Sequence, residues 1–490
     1  MFRHFLSAAV LLVVTTPFAS AAEKPNVLFI VADDLRTDLG CYGSVAKTPN
    51  LDALAVRGVR FDRAYCQQAV CNPSRSSFLT GKRPDSLHLW VNGTHFREKN
   101  PDVKTLPEWF KENGYETRGI GKIFHNWHTK EKGDRRSWSA DEFLHYANHG
   151  DDKPVVKGEL PPNLALDIGR DYTNVPLCER RDVPDEAYYD GRVAAEAIKV
   201  LDAVNEQPFF LAVGFWKPHA PFNAPKKYWD LYDAKKIPLL DPSRPKDAPA
   251  IAFHDSREIL GVPPKQITLD SAKIAEMRHG YLANISYLDA QVGKVLKALD
   301  DKKLADRTII VFVSDHGYHI GEHTQWAKTS CFEFDARVPL IIATPGMKTA
   351  GKASSALVEL VDLFPTLSDL AGLKIPSGLD GLSLVPVLKD SAATVKPAAF
   401  TQHPRPAYAD RTPTGIPDAM GYSVRTTSGR YTEWRVWNTG KLVGSEYYDH
   451  KLDPTELTNR VEVSKDTEEL KSARAALHKQ FPPDLTPAKR

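Results

Sequence analysis

Carboxylates follow two apolar runs of this chain, and their positions indicate a cation site. Asp33 and Asp34 come directly after one run, and Asp315 follows another. Acidic groups gathered in one crevice are costly to bury unless a cation neutralises them. A hard divalent ion with oxygen ligands, calcium or magnesium, fits best, because too few thiolates and imidazoles are closely spaced for a structural zinc site.

Basic side chains and imidazoles occur near the same runs and could bind an anion beside that ion. They are Arg75, Lys122, His125, Lys217, His219 and Lys328. Any one such lysine is most often a solvated surface charge, so the interpretation depends on the group. Cations that face a metal ion form a receptor for a tetrahedral oxyanion whose charge shifts in the transition state.

Cys71 stands at or just before the predicted start of a helix. Pro73 suits the first helical turn and Gly81 suits the C-terminal end. The N-terminus of a helix favours an anion, and Arg75 lies one turn further along the same face. Two chemistries fit. Cys71 is either a thiolate nucleophile with a lowered pKa or the precursor of a harder group, since sulfur is a poor ligand for a hard ion.

Alternating strands and helices are needed to bring these residues together. A continuous apolar run at residues 26–32 predicts a strand buried on both faces, and residues 116–121, 208–215 and 308–313 predict further strands. Helical patterns at residues 50–56, 105–111, 189–204 and 275–299 alternate with them. The sequence therefore predicts an α/β fold with a large, mostly parallel sheet flanked by helices.

The chemically capable residues cluster at one predicted edge of this sheet. At or just past the carboxyl ends of the strands lie Asp33, Asp34, Lys122, His125, His219, Asp315 and His316. Open α/β sheets form their binding crevice at this edge.

The two ends of the chain differ from its middle. Residues 1–22 combine a basic start, an apolar run and small residues, which is typical of a secretory signal peptide, so we expect export to the periplasm or the medium. We expect a catalytic α/β domain at residues 23–392 and a smaller antiparallel sheet with a C-terminal helix at residues 393–490. We find no later stretch of about 18 apolar residues, so stable membrane insertion is not expected.

Composition excludes two classes of protein. A net charge of +2 argues against nucleic-acid binding that depends on global charge. Five cysteines are few and odd in number for an exported chain, so a disulfide scaffold is not expected, and at least one cysteine lacks a partner within the chain.

The motif Cys71-x-Pro73-Ser74-Arg75, followed by Leu79-Thr80-Gly81, resembles that of the type I sulfatases, in which the cysteine is oxidised to Cα-formylglycine. Similar motifs occur in the family's order over roughly residues 24–390, most like its iduronate branch. They are Asp33-Asp34, Gly121-Lys122, Lys217-Pro218-His219, Asp315-His316-Gly317 and Lys328.

The resemblance implies a role for each matching residue. One calcium ion would be held by Asp33, Asp34, Asp315, His316 and the modified Cys71. The hydrated aldehyde at residue 71 would attack sulfur, and its second hydroxyl would expel the sulfate by elimination. A formylglycine-generating enzyme, or an equivalent, would be needed during maturation. His316 is the weakest ligand prediction, because calcium prefers oxygen.

The remaining residues are expected to handle the substrate. Arg75 would stabilise the diol, Lys122 and Lys328 would clamp the sulfate, and His219 would protonate the leaving oxygen as an imidazole held charged near neutral pH. His125 would assist the diol or the covalent intermediate. Tyr318 stands where the iduronate branch has a tryptophan near the sugar, so we expect it to contact substrate.

Three functions compete on this basis. The first is hydrolysis of sulfate esters on sulfated, polysaccharide-derived sugars, with a 2-O-sulfated uronic acid as the leading candidate. The second is a phosphate or phosphonate monoester hydrolase on the same scaffold, which would usually recruit two metal ions. The third is an inactive relative that binds sulfated glycans with Cys71 unmodified.

Overall fold

The computed structural model describes most of the chain. The described residues are 24–125, 129, 131–143, 177–204, 207–238, 240–254, 257–260, 269–409, 412–484 and 486. The predicted signal peptide lies outside them.

Fifteen strands form in the described part of the chain. They are β1 Asn26–Asp33, β2 Val59–Tyr65, β3 Glu116–Gly121, β4 Cys178–Arg181, β5 Phe209–Pro218, β6 Phe222–Pro225, β7 Thr308–Ser314, β8 His319–Ile320, β9 Trp326–Ala327, β10 Arg337–Ala343, β11 Ala353–Glu359, β12 Ala399–Arg405, β13 Ala419–Arg425, β14 Gly429–Val436 and β15 Leu442–Asp449.

Thirteen α-helices accompany the strands within the same residues. They are α1 Pro49–Arg57, α2 Cys71–Thr80, α3 Pro84–Leu87, α4 Phe96–Lys99, α5 Leu106–Glu112, α6 Tyr189–Ala203, α7 Lys226–Trp229, α8 Arg257–Leu260, α9 Ser271–Asp301, α10 Glu333–Ala336, α11 Leu363–Leu370, α12 Val385–Lys389 and α13 Glu468–Gln480.

The large sheet has seven strands in the order β11-β2-β10-β7-β1-β5-β3. Strand β1 pairs in parallel with β5 and β7, and β3 pairs in parallel with β5. Only β10 runs antiparallel to both of its neighbours. The predicted large, mostly parallel sheet is confirmed.

The alternation of side chains along β1 explains why this sheet is covered on both faces. All eight residues of β1 are buried. Leu28 and Ile30 point into one apolar core, which α6 and α9 cover. Val27 and Phe29 point into the other, to which α2, α5 and α11 contribute. Successive residues of a strand face opposite sides, so a continuous apolar run is what a two-sided core requires.

Helix starts follow local capping chemistry, with one correction to the sequence prediction. Thr105 caps α5 as expected and forms a capping box with Glu108. The helix predicted at residues 50–56, with Asn50 as its cap, instead begins at Pro49, with Thr48 in the N-cap position. Proline fits the first turn because its missing N–H would have had no partner there.

The C-terminal part forms a separate antiparallel sheet in the order β12-β13-β14-β15, with α13 packed against it. The predicted small sheet and helix are confirmed, and β12 is an additional strand. Across the described residues, no helix combines the length and apolar character needed to cross a membrane.

Candidate active site

Four adjacent parallel strands deliver the predicted site residues to one edge of the large sheet. In the order β7-β1-β5-β3, these strands are neighbours. Asp315 and His316 follow β7, Asp33 ends β1, and Lys122 follows β3. The residues therefore meet as the strand pattern predicted.

Four possible metal ligands form a compact, buried cluster. One ligand atom from each of Asp33, Asp34, Cys71 and His316 lies within 4.8 Å of the other three. The Cys71 Sγ is 3.6 Å from the Asp33 Oδ1 and 3.4 Å from the His316 Nε2. Cys71 is the first residue of α2, so it stands at the helix N-terminus as predicted.

The orientation of His316 favours a cation in this cluster. Its Nδ1 lies 2.9 Å from the carbonyl oxygen of Gly317, and because a carbonyl only accepts, Nδ1 must carry the proton. A metal-bound imidazole is neutral, and in that form the lone pair of Nε2 would face the Asp34 Oδ1, 3.4 Å away. A cation bound between the two atoms would then interact with both.

The charge balance of the carboxylates agrees with this interpretation. Burial raises the pKa of Asp34 well above its ordinary value, although Lys328 opposes the change. Burial would also raise the pKa of Asp33, but Lys122 and Arg75 outweigh it and hold that pKa low. The cluster thus has room for further positive charge, and its donor set fits a divalent cation.

Asp315 lies beside the four-residue cluster and has its oxygens engaged elsewhere. Its Oδ2 accepts a hydrogen bond of 2.8 Å from Arg75 Nε, and its Oδ1 accepts one of 2.9 Å from the backbone N–H of His316. Its Oδ2 is still 3.7 Å from the His316 Nε2. Its predicted role as a ligand stays a prediction.

Arg75 links the acidic residues of the site to one another and to the backbone. Its guanidinium is fully buried and pairs with Asp315 and, at 3.3 Å, with Asp33. It also donates to the backbone carbonyls of Lys122 and Ile123. One side chain thereby ties α2 to the ends of β1, β3 and β7.

Two lysines lie next to Cys71 and Asp34. The Lys122 Nζ contacts Asp33, lies 3.8 Å from the Cys71 Sγ and sits 4.5 Å from the ring centre of Trp216. The Lys328 Nζ donates to both oxygens of Asp34 at 3.0 and 3.1 Å. Both are buried, so their charges act in a medium that screens them weakly.

The environment of Cys71 argues against the thiolate alternative. Burial raises the pKa of its thiol to about 12, although Lys122 and Lys328 oppose the shift. Without a bound cation, an unmodified thiol would therefore remain protonated at neutral pH. All five cysteines of the chain are free thiols in the structure.

Lys217 does not belong to the predicted ring of cations. Its Nζ donates to the carbonyls of Pro221, at 2.9 Å, and His219, at 3.3 Å, and to the side chain of Asn223. Three acceptors of its own loop thus hold the ammonium group. Lys217 supports the segment that carries His219.

His219 reaches the cluster, but its protonation differs from the expectation. Its Nε2 is 3.7 Å from the Asp34 Oδ2. Burial and the nearby charge of Lys328 lower its pKa to about 3. The expectation of an imidazole charged near neutral pH does not hold for the substrate-free site.

Tyr318 and His125 are both buried. The ring of Tyr318 stacks on Tyr281 with 5.8 Å between ring centres, and the Lys328 Nζ lies 6.0 Å from the ring centre of Tyr318. Its hydroxyl has no hydrogen-bond partner among the described residues. His125 lies four residues past the end of β3 and is 5% exposed.

Sequence reasoning missed one acidic residue of the site, Glu258. It comes from α8, in a stretch where the sequence predicts neither a helix nor a strand. Its Oε1 lies 2.8 Å from the Lys328 Nζ and 3.3 Å from the His219 Nε2. No sequence pattern near Glu258 signals this contact, because it depends on long-range folding of the loop.

Comparisons with known proteins agree with the fold and the site. A family model described as Sulfatase matches residues 25–373. A second, described as N-sulphoglucosamine sulphohydrolase, C-terminal, matches residues 321–482. The chain therefore belongs to the sulfatase family and is a sulfuric ester hydrolase.

One individual relative indicates the branch of the family to which the chain is similar. Iduronate 2-sulfatase of Mus musculus is 37% identical over 480 residues, which cover 85% of each chain. The resemblance to type I sulfatases of the iduronate branch is confirmed.

Solved structures show the same fold. One, in complex with its substrate D-glucosamine-2-N,6-O-disulfate, aligns with a TM-score of 0.69 at 23% identity, covering 94% of this chain and 99% of its own. The phosphonate monoester hydrolase of Silicibacter pomeroyi aligns with a TM-score of 0.73 at 23% identity, covering 95% and 96%. At this identity, both support the fold alone.

Proposed function

We propose that this protein hydrolyses sulfate esters on sulfated sugars, using a formylglycine made from Cys71 and one calcium ion. A 2-O-sulfated uronic acid is the leading substrate, by analogy with the iduronate 2-sulfatase to which the chain is similar. The observation that carries the proposal is the position of Cys71 within a buried cluster of two carboxylates and one imidazole, beside Lys122.

Calcium would be held by Asp33, Asp34, His316 and the modified residue 71, with Asp315 next to them. Conversion of the thiol to an oxygen function makes the set more suitable for a hard ion. When bound, a divalent cation supplies Lewis acidity and neutralises the carboxylates. Asp33 is the last residue of β1 and Asp34 follows it directly, and Arg75 fixes the position of Asp315.

With formylglycine at residue 71, its hydrate would supply an oxygen nucleophile and a second hydroxyl for release of the sulfate. Lys122 and Lys328 would bind oxygens of the sulfate group, which would lie between them. Arg75 would hold residue 71 in place through the ends of β1 and β7, and His125 would assist the diol.

His219 would protonate the leaving oxygen of the sugar. In the substrate-free site its pKa is lowered to about 3 by burial and by Lys328. A bound sulfate ester adds a negative charge nearby, which favours the protonated imidazole. The unpaired hydroxyl of Tyr318 would donate to the sugar or to its sulfate.

The test is a screen of defined sulfated disaccharides with the formylglycine-carrying protein. We expect turnover of a 2-O-sulfated uronate substrate and little turnover of the matching phosphate ester. Preferential hydrolysis of the phosphate ester would support the phosphoesterase alternative. Tight binding of the sulfated sugars without turnover would support the inactive glycan-binding alternative.

Residues 1–22 support export to the periplasm or the medium, and oxidation of Cys71 would need a formylglycine-generating enzyme or an equivalent in the host. Amino-terminal sequencing of the mature protein tests the first of these. Cleavage after Ala22 is the expected result.

A further inference from the structure

Glu258 places a carboxylate where the proposed function requires an anion to bind. The Glu258 Oε1 accepts from the Lys328 Nζ at 2.8 Å, and its Oε2 accepts from the Tyr408 hydroxyl at 2.9 Å. The side chain is buried, with 9% of the residue exposed. Lys328 is one of the two lysines expected to bind the sulfate. The negative charge of Glu258 therefore opposes the binding of an anion to Lys328.

The contacts of Glu258 keep it negatively charged. Burial would raise its pKa, but the charge of Lys328, the neighbouring His219 and hydrogen bonds from Lys328 and Tyr408 together outweigh burial and lower that pKa to about 2. Asp34 also pairs with Lys328, at 3.0 Å, so one ammonium group faces two carboxylates. The positive charge that Lys328 offers to an incoming anion is therefore reduced.

The penalty from this fixed charge depends on the charge of the substrate. Coulomb repulsion scales with the product of the two charges and is strong in a buried site. A sulfate monoester carries a single negative charge, whereas a phosphate monoester, with a second pKa near 6, carries almost two at neutral pH. Glu258 should thus disfavour the phosphate ester more.

We propose that Glu258 is a specificity-determining residue that makes this site select singly charged sulfate esters over doubly charged phosphate esters. The inference rests on the proposed function, in which the anion lies between Lys122 and Lys328. It accounts for a buried acid that takes no part in the proposed chemistry.

The direct test measures binding, so that it does not depend on turnover. Protein with Cys71 left as cysteine is titrated in excess calcium with methyl sulfate and with methyl phosphate at pH 8, by calorimetry. In Glu258→Gln, we expect the affinity for methyl phosphate to rise at least about tenfold more than that for methyl sulfate. Equal changes for both ligands, or no change, would overturn the proposal.

Matched variants separate charge from position. Glu258→Asp keeps the charge, and Tyr408→Phe removes one donor to Glu258 while keeping its carboxylate, so both should hold the wild-type affinity ratio within about twofold. A shift in Tyr408→Phe as large as that in Glu258→Gln would contradict the proposal. Melting curves check folding, and Glu258→Asn replaces Glu258→Gln if that variant does not fold.

Turnover distinguishes this proposal from the function on which it rests. With formylglycine at residue 71, Glu258→Gln should raise the ratio of kcat/KM for an aryl phosphate to that for the aryl sulfate. A wild-type protein that hydrolyses no sulfate ester contradicts the proposed function, whereas the binding ratio still decides the role of Glu258.

Discussion

Arg75 is the residue on which the geometry of the acidic cluster depends most. Its guanidinium joins Asp315 and Asp33 and two backbone carbonyls, and no part of the side chain is exposed. A planar group with five donors can serve all of these acceptors, whereas an ammonium group cannot.

We therefore expect Arg75→Lys to lower the free energy of unfolding by about 3 kcal/mol, because buried carboxylates lose their partner. The value of kcat/KM should fall by about a hundredfold or more. Urea denaturation and steady-state kinetics measure the two effects. The control is Arg135→Lys, whose side chain is 82% exposed and should change stability by less than about 0.5 kcal/mol. A stable, active Arg75→Lys protein would contradict this role.

Single residues differ in how well the sequence predicts them. Asp33, Asp34 and His316 could be predicted because each lies within two residues of the end of a strand whose apolar pattern is strong. Lys217 has the same kind of position, yet its ammonium group turns to its own loop and not to the cluster. Glu258 could not be predicted, because its contacts depend on how a long loop folds back.

At the scale of elements, the close approach of the paired strands β3 and β5 sets the position of Lys122. Gly121 has a φ of 72°, and a Cβ on it would lie 2.1 Å from the carbonyl oxygen of Gly214. That carbonyl accepts a hydrogen bond of 2.8 Å from the backbone N–H of Lys122. A side chain at residue 121 would push the two strands apart just before the lysine.

Gly121→Ala should accordingly destabilise the fold by about 3 kcal/mol, from backbone strain and steric overlap together. Gly372→Ala is the matched control, because its φ is 66° but nothing lies within 4 Å of the added Cβ. Backbone strain alone should cost it about 1 kcal/mol. Equal losses in chemical denaturation would show that the close approach to Gly214 is unimportant.

The C-terminal sheet contains an acid whose protonation should affect stability. Glu446 on β15 is buried, accepts from the Trp434 Nε1 at 2.7 Å and from the Tyr448 hydroxyl at 2.8 Å, and burial raises its pKa to about 7. Between its ordinary pKa of 4.5 and this value, the folded protein keeps a proton that the unfolded chain has lost. Stability therefore falls as the pH rises through this window, by up to about 3 kcal/mol.

Glu446→Gln removes this titration, so we expect it to stabilise the protein at pH 8 by up to about 3 kcal/mol. At pH 5 the gain should be much smaller. Urea denaturation at the two pH values measures the difference. A gain of the same size at both would show that the effect does not come from the proton.

Strands with a clear apolar pattern can be predicted from the sequence, whereas a strand whose pattern is interrupted by charged residues cannot. The runs behind β1, β5 and β7 are apolar, and the structure confirms these three and the predicted β3 as strands. Strand β2 was missed because Arg60, Asp62 and Arg63 interrupt its pattern, and Arg60 pairs with Asp62 along the strand. Pairing with β10 and β11 stabilises it, and local sequence does not carry that information.

At the scale of the whole molecule, a buried ion-pair network joins the large α/β unit to the C-terminal sheet. Arg430 on β14 pairs with Glu333 at 2.6 Å and with Glu456 at 2.8 Å. Tyr65, at the end of β2, donates to the same Glu333 at 2.9 Å. The two parts are thus linked by side chains that water hardly reaches.

We expect Arg430→Met to lower the free energy of unfolding by about 3 kcal/mol, because it removes the cation that two buried carboxylates share. Calorimetry should still show both parts unfolding in one transition at a lower temperature. Arg57→Met, which breaks an exposed pair with Asp300, should cost less than about 1 kcal/mol. An Arg430→Met protein as stable as that control would contradict the role of the network.

The central claim is that sulfate-ester hydrolysis depends on conversion of Cys71 to formylglycine. Trypsin releases residues 64–75 as one peptide that contains both Cys66 and Cys71, so Cys66 serves as an internal control. Tandem mass spectrometry gives the fraction of aldehyde at residue 71 in preparations made with and without a formylglycine-generating enzyme. The rate per molecule on a sulfated disaccharide should rise in proportion to that fraction and reach zero without it, while Cys66 stays a thiol. Full activity from protein in which Cys71 is still a thiol, or from Cys71→Ala, would contradict the account.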